Sequence, residues 1–170
     1  MQAMSTETFI GNMRGPVIMR MDADYDAVRS LYNGMIDKSP VMIARCTDAA
    51  DVVTAVNFAR QNDLQVAIRG GGHNGPGLSS IDDGLMIDMS MMKGVRVNPT
   101  ALTVRVGPGC TQGDVDHATH IFGLAVPAGI VSTTGIAGLT LGGGTGYLTP
   151  RGGCCARRRS HCHRQQVREC

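Results

Sequence analysis

Apolar residues change their spacing several times along this chain, and each change marks an element. "SPVMIARC" (39–46) is a short apolar run that predicts a strand. Thr47 is the expected helix N-cap, with Asp48 and Asp51 in the first turn, where the helix dipole favours carboxylates. Val52, Ala55, Val56 and Ala59 follow at i, i+3, i+4 and i+7, one apolar face of a helix ending near Asn62. "LQVAIR" (64–69) is a second strand, so strand, helix and strand form a β-α-β unit whose second strand feeds a run of glycines. Before Ser39 no clear period emerges, and 1–39 reads as a lead-in with a turn or two of helix around "YDAVRSLYNGMI".

Beyond the glycines the pattern shortens to that of strands. "GLMIDMS" (84–90) is extended, and "GVRVNP" and "ALTVRVG" make an expected hairpin around Asn98-Pro99-Thr100. Thr111 is placed to cap a second helix through "QGDVDHATHIF", with Val115, Ala118, Thr119 and Phe122 on one face and Gly123 at its C-terminal end. A second glycine-rich stretch, "AVPAGIVSTTGIAGLTLGGGTGYL" (125–148), is almost without charge.

Composition narrows the function. Hydrophobic content of 42% fits a globular protein, and the absence of Trp with only three Phe and three Tyr argues against an aromatic platform for nucleic acid. The net charge of +2 comes from the end of the chain: residues 1–149 hold 10 Lys and Arg against 13 Asp and Glu, whereas 150–170 hold six Arg and one Glu. The body therefore carries no electrostatic footprint for DNA or RNA. Cys46 and Cys110 stand alone in the body and suit buried thiols of a reducing compartment better than a disulfide framework. Residues 1–20 lack a basic start followed by an apolar run, and no segment reaches the roughly 20 apolar residues of a membrane span; a cytoplasmic protein is expected.

Eighteen of the 23 glycines lie between 70 and 146, interleaved with apolar β-formers. Gly70, Gly72 and Gly75 satisfy G-x-G-x-x-G after a strand, but Pro76, Gly77 and "LSSIDDG" follow, so no helix opens on the last glycine and the dinucleotide fingerprint fails. Successive N–H groups in a glycine turn can still form an anion-binding nest, with Arg69 adding positive charge. Two such turns, 69–77 and 135–146, suit an elongated diphosphate ligand; ordinary turns of a glycine-rich β protein are the other reading. His73 is either a hydrogen-bonded surface histidine or a functional one, and no His, Cys or Asp stands near it at metal-ligand spacing.

"AIRGGGHNGPGLSSIDDGLMIDMSMMKGVRVN", "VRVGPGCTQGDVDHAT" and "GLAVPAGIVSTTGIAGLTLGGGTGYLT", in that order, resemble the flavin-binding half of the berberine-bridge-enzyme-like FAD-linked oxidases of the vanillyl-alcohol-oxidase/p-cresol-methylhydroxylase superfamily. The resemblance covers residues 40–149 and implies an α+β fold, a PCMH-type FAD-binding domain of two α/β subdomains, over about 40–95 and 96–149. It implies that Arg69, Gly70, Gly71, Gly72, His73, Asn74 and Gly77 wrap the FAD pyrophosphate, with His73 joined covalently to the flavin 8α-methyl. Gly129, Ser132, Thr134, Gly135, Gly138 and Gly142 fall in the second flavin-contacting segment. Where some members carry a cysteinyl flavin bond this chain has Val131, so a single link is expected.

After "GYLT" the family pattern stops. The resemblance places the substrate-binding sheet and catalytic base in a C-terminal half that 1–170 does not hold, which leaves the catalytic residues unassigned. The expected function is oxidase-type hydride transfer from a small-molecule substrate to FAD with O2 as acceptor; a flavin-binding module without turnover, or a non-functional fragment, are the alternatives. Residues 150–170 read as a disordered tail produced by a frame disruption, with a zinc knot of Cys154, Cys155, Cys162 and a histidine, or a basic interaction tail, as other readings.

Overall fold

The computed structural model describes residues 3–152, 165–166 and 168–169. The chain divides into two compact units, Met1–Met92 and Lys93–Cys170.

The first unit is built on four strands, β1 (Val17–Met19), β2 (Met42–Arg45), β3 (Val66–Arg69) and β4 (Leu85–Asp88), in the order β1-β2-β4-β3. β4 runs parallel to both neighbours, while β1 is antiparallel to β2. A central parallel strand is covered on both faces, which is why β4 reads as an unbroken apolar run capped by Asp88 and is buried at every position. The two-residue period sends Leu85 and Ile87 of β4 and Met42 and Ala44 of β2 to one face, where they meet Ala55, Phe58 and Ala59 of α3 (Ala49–Gln61). Met86 and Ile43 go to the other face and pack with Tyr25 of α2 (Tyr25–Arg29).

Residues 1–39 contribute to the first unit's sheet and core. α1 (Thr6–Asn12), capped by Ser5, buries Phe9 in the core, where its ring stacks on Phe58 at 4.1 Å, and β1 extends the sheet. A helix with one buried residue and a three-residue strand are too short to show a period, so packing rather than patterning holds them. The cap of α3 also moves by one residue. Asp48, not Thr47, accepts from the N–H groups of Ala50 and Asp51, because a carboxylate can take both at once.

In the second unit β5 (Val95–Asn98) and β6 (Thr103–Val106) form the expected hairpin, with Val97 opposite Val104. Its turn is held by Asn98 Oδ1, which accepts from Ala101 N at 2.9 Å. Thr111 caps α4 (Gln112–His120) in a reciprocal box: its hydroxyl accepts from Asp114 N, and the Asp114 carboxylate accepts from Thr111 N at 2.8 Å. Thr111→Ala is expected to cost about 1 kcal/mol, read as a lower midpoint in urea unfolding at unchanged slope. The core joins Val104, Cys110, Val115, Leu124, Val126, Ala128 and Ile136. β7 (Leu124–Ala125) follows α4, and the second glycine-rich stretch holds a short helix, α5 (Ile136–Gly142), anchored by Ile136. α6 (Thr149–Gly152) ends the continuous part.

Four residues beyond 150 are described as strand. β8 (Gln165–Gln166) pairs with β6 and β9 (Arg168–Glu169) pairs with β7, since an open strand edge accepts any extended backbone whatever its side chains. Cys154, Cys155 and Cys162, with the zinc reading they carried, lie outside the described residues. Among the described residues no helix is long and apolar enough to cross a membrane.

Candidate cofactor site

Three strand ends meet at one buried carboxylate. Register puts Asp88 of β4 opposite Arg45 of β2 and Arg69 of β3. Arg69 Nη2 donates to Asp88 Oδ2 at 2.7 Å and its Nε to Oδ1 at 3.2 Å, Arg45 Nε reaches Oδ2 at 3.2 Å, and Ser90 donates through both its N–H and its hydroxyl. Burial works against the charge on Asp88, but the bonds and charge of Arg69, with those of Ser90, hold the carboxyl below its usual range. The remaining Arg69 nitrogen, Nη1, donates to the carbonyls of Val28 and Ser30. The Arg69 guanidinium is therefore committed within its own unit, tying α2 to the sheet at the point where the glycines begin.

From there the chain turns back on itself. Gly72 (φ +69°) and Gly77 (φ +73°) both lie in the left-handed region that favours glycine, and a Cβ on Gly77 would sit 2.6 Å from Ile36 Cγ2. Asn74 folds the loop locally: its carbonyl accepts from Gly77 N at 3.0 Å and its side-chain oxygen from Leu78 N at 2.9 Å. Residues 32–38 then hold the loop from outside. Tyr32 N donates to Gly72 O, Asn33 Nδ2 to Gly75 O, and Lys38 Nζ to the carbonyls of Gly77 and Ser80.

His73 stands at the middle of this loop, half-buried, its ring stacked on Tyr32 with centroids 3.9 Å apart and planes 18° from parallel. Burial lowers its pKa below the ordinary histidine value, which favours the neutral form of the imidazole. The hydroxyls of Ser79 and Ser80, just past Gly77, are buried without a hydrogen-bond partner. Two unpaired donors at the end of a glycine loop fit the oxygens of a diphosphate. Sequence reading passed over both serines, because a turn-rich "LSSIDDG" gives no sign of which hydroxyls face inward.

In the second unit the predicted positions fall on one segment bound to α4. Gly129 O accepts from Gln112 Nε2 at 2.6 Å, Ser132 O from Gly113 N at 2.8 Å and Thr134 O from Gln112 N at 2.9 Å. Gly135 is the N-cap of α5, with Gly138 and Gly142 within the helix and exposed. Gln112 Oε1 is a third buried polar atom without a partner.

Known proteins share this fold. A family model described as an FAD binding domain matches residues 40–159, ten residues past the boundary expected at 149. (R)-6-hydroxynicotine oxidase of Paenarthrobacter nicotinovorans is 35% identical over 142 residues, 84% of this chain and 31% of that one. An FAD-linked oxidoreductase of Dictyostelium discoideum is 39% identical over 83% of this chain and 31% of its own length. Among solved structures, 6-hydroxy-D-nicotine oxidase from Arthrobacter nicotinovorans superposes with a TM-score of 0.82 at 35% identity, covering 84% of this chain and 32% of the other. Physcomitrella patens BBE-like 1 gives 0.83 at 28% identity, covering 89% and 34%. The chain thus spans about a third of the length of these relatives. With that family model matching 40–159, well over half of its length, the chain belongs to the FAD binding domain family.

Proposed function

We propose that this chain is the flavin-binding part of an FAD-linked oxidoreductase, holding its FAD covalently through His73. The observation that carries the reading is a half-buried imidazole on a glycine loop that ends in two buried, unpartnered hydroxyls. Gly70, Gly71, Gly72, Asn74 and Gly77 let backbone approach the pyrophosphate, with Ser79 and Ser80 as side-chain donors. Arg69 acts by holding the loop's root on Asp88. Gly129, Ser132, Thr134, Gly135, Gly138 and Gly142 form the second flavin-contacting segment. Bound FAD supplies a two-electron acceptor for a hydride from a substrate C–H, with dioxygen as the final acceptor. Attachment would join an imidazole nitrogen of His73 to the 8α-carbon with loss of one C–H and the imidazole N–H, and dioxygen would take the two electrons and two protons as hydrogen peroxide. The whole reaction, its small-molecule substrate and a cytoplasmic setting are part of the proposal; the last is supported by two buried free thiols, Cys46 and Cys110.

The test is in-gel flavin fluorescence of the purified chain after acid denaturation. Fluorescence that survives denaturation in the wild type and disappears in His73→Ala is expected. A folded wild-type chain that releases all its flavin into acid would overturn the covalent assignment.

A further inference from the structure

The aromatic partner of His73 comes from a segment that the flavin-loop motif does not include. Tyr32 is 66% exposed, so its place on the histidine is not a consequence of burial in the core. It is held by the loop it faces: Tyr32 N bonds Gly72 O at 3.2 Å and Asn33 Nδ2 bonds Gly75 O at 3.0 Å, one anchor on either side of His73. Leu31 lies against the Gly72 position and Ile36 against Gly77, while Lys38 holds Gly77 and Ser80. Platform and histidine are therefore fixed to a common frame.

We propose that Tyr32 is a positioning residue for flavin attachment, its ring face setting the plane of the His73 imidazole so that a ring nitrogen is presented to the flavin. This rests on the covalent reading above. The lone pair and N–H of an imidazole lie in the ring plane, so a partner on the face restricts rotation about Cβ–Cγ without occupying the in-plane positions through which a nitrogen bonds. Bond formation then begins from one ring plane, and the gain is of the kind that pre-oriented reactants show. The phenol hydroxyl has no part in this, so phenylalanine should serve as well as tyrosine.

The experiment compares the wild-type chain with Tyr32→Phe, Tyr32→Leu and Tyr32→Ala, each prepared without flavin and mixed with FAD in air. One readout is the growth of acid-stable fluorescence. The other is the proton chemical shift of the His73 ring before FAD is added, which the facing aromatic ring moves upfield. Tyr32→Phe should keep both the shift and the rate. Tyr32→Leu, which preserves bulk, should lose the upfield shift and attach flavin about ten- to a hundredfold more slowly. Tyr32→Ala should behave like Tyr32→Leu, and if it fails to fold, the leucine variant carries the comparison. Acid-stable flavin in the wild type with an equal rate in Tyr32→Leu overturns the role of Tyr32 and leaves the covalent reading standing. A folded wild type that never acquires acid-stable flavin overturns both.

Discussion

Asp88→Ala is expected to destabilise the first unit by about 3–5 kcal/mol, the usual cost of removing one partner from a buried ion pair. The carboxylate is fully buried and balances two cations, Arg69 with a side chain 11% exposed and Arg45 with one 30% exposed. Without it the Arg69 guanidinium stays beneath the sheet ends with only the carbonyls of Val28 and Ser30 to accept its protons. Moving the guanidinium to water would pull α2 away from β3 and displace the first residue before the glycine loop. The effect should therefore reach flavin binding as well as folding. Urea unfolding at pH 7 measures the first, and retention of FAD on a desalting column measures the second. Asp88→Ala combined with Arg69→Met removes the stranded charge, so the double variant should recover part of the loss in unfolding free energy. A single variant within about 0.5 kcal/mol of the wild type would show that the cluster is not needed for stability.

This cluster also shows what the sequence could not reveal. Arg45, Arg69 and Asp88 each stand at the end of an apolar run, and each is legible as a strand terminus. That they meet depends on β4 inserting between β2 and β3, a sheet order no local pattern encodes. The spacing shows Arg69 as a cation at the root of the glycine turn, but not that its guanidinium lies on Asp88. α3 and the 95–106 hairpin were readable because a period or a turn signal spans enough residues to stand out. α1, β1 and α5 were not, since each is held mainly by contacts distant in sequence. His73 was legible as a residue, but not its neutral environment, its stack on Tyr32 or the serines beyond it, all of which arise from segments 31–38 and 70–80 lying together.

Asp51→Ala should cost about 3 kcal/mol, for a different reason: here the carboxylate balances no cation but gathers backbone donors. It accepts from Arg14 N at 2.8 Å, Gly15 N at 3.1 Å, and both the N–H and hydroxyl of Thr47 at 2.8 Å, so it pins the loop before β1 to the start of α3. Alanine leaves those donors facing a gap too enclosed for free hydration, since the Asp51 residue is 1% exposed. Burial alone would raise the carboxyl pKa, but the bonds from Arg14, Thr47 and Gly15 outweigh it and lower the value. A carboxyl lowered on folding stabilises the native state above its unfolded pKa of about 3.9, and that contribution is lost as pH falls through the folded value. Wild-type stability should therefore decline below about pH 4, and Asp51→Ala should decline less steeply, because one of the protonations that drives the loss is gone. Urea unfolding of both chains from pH 7 down to pH 3 measures the difference. The gap between the two curves should be widest near neutrality and narrow in acid. Curves that stay parallel throughout would mean that Asp51 stabilises the chain by filling space and not through its charge.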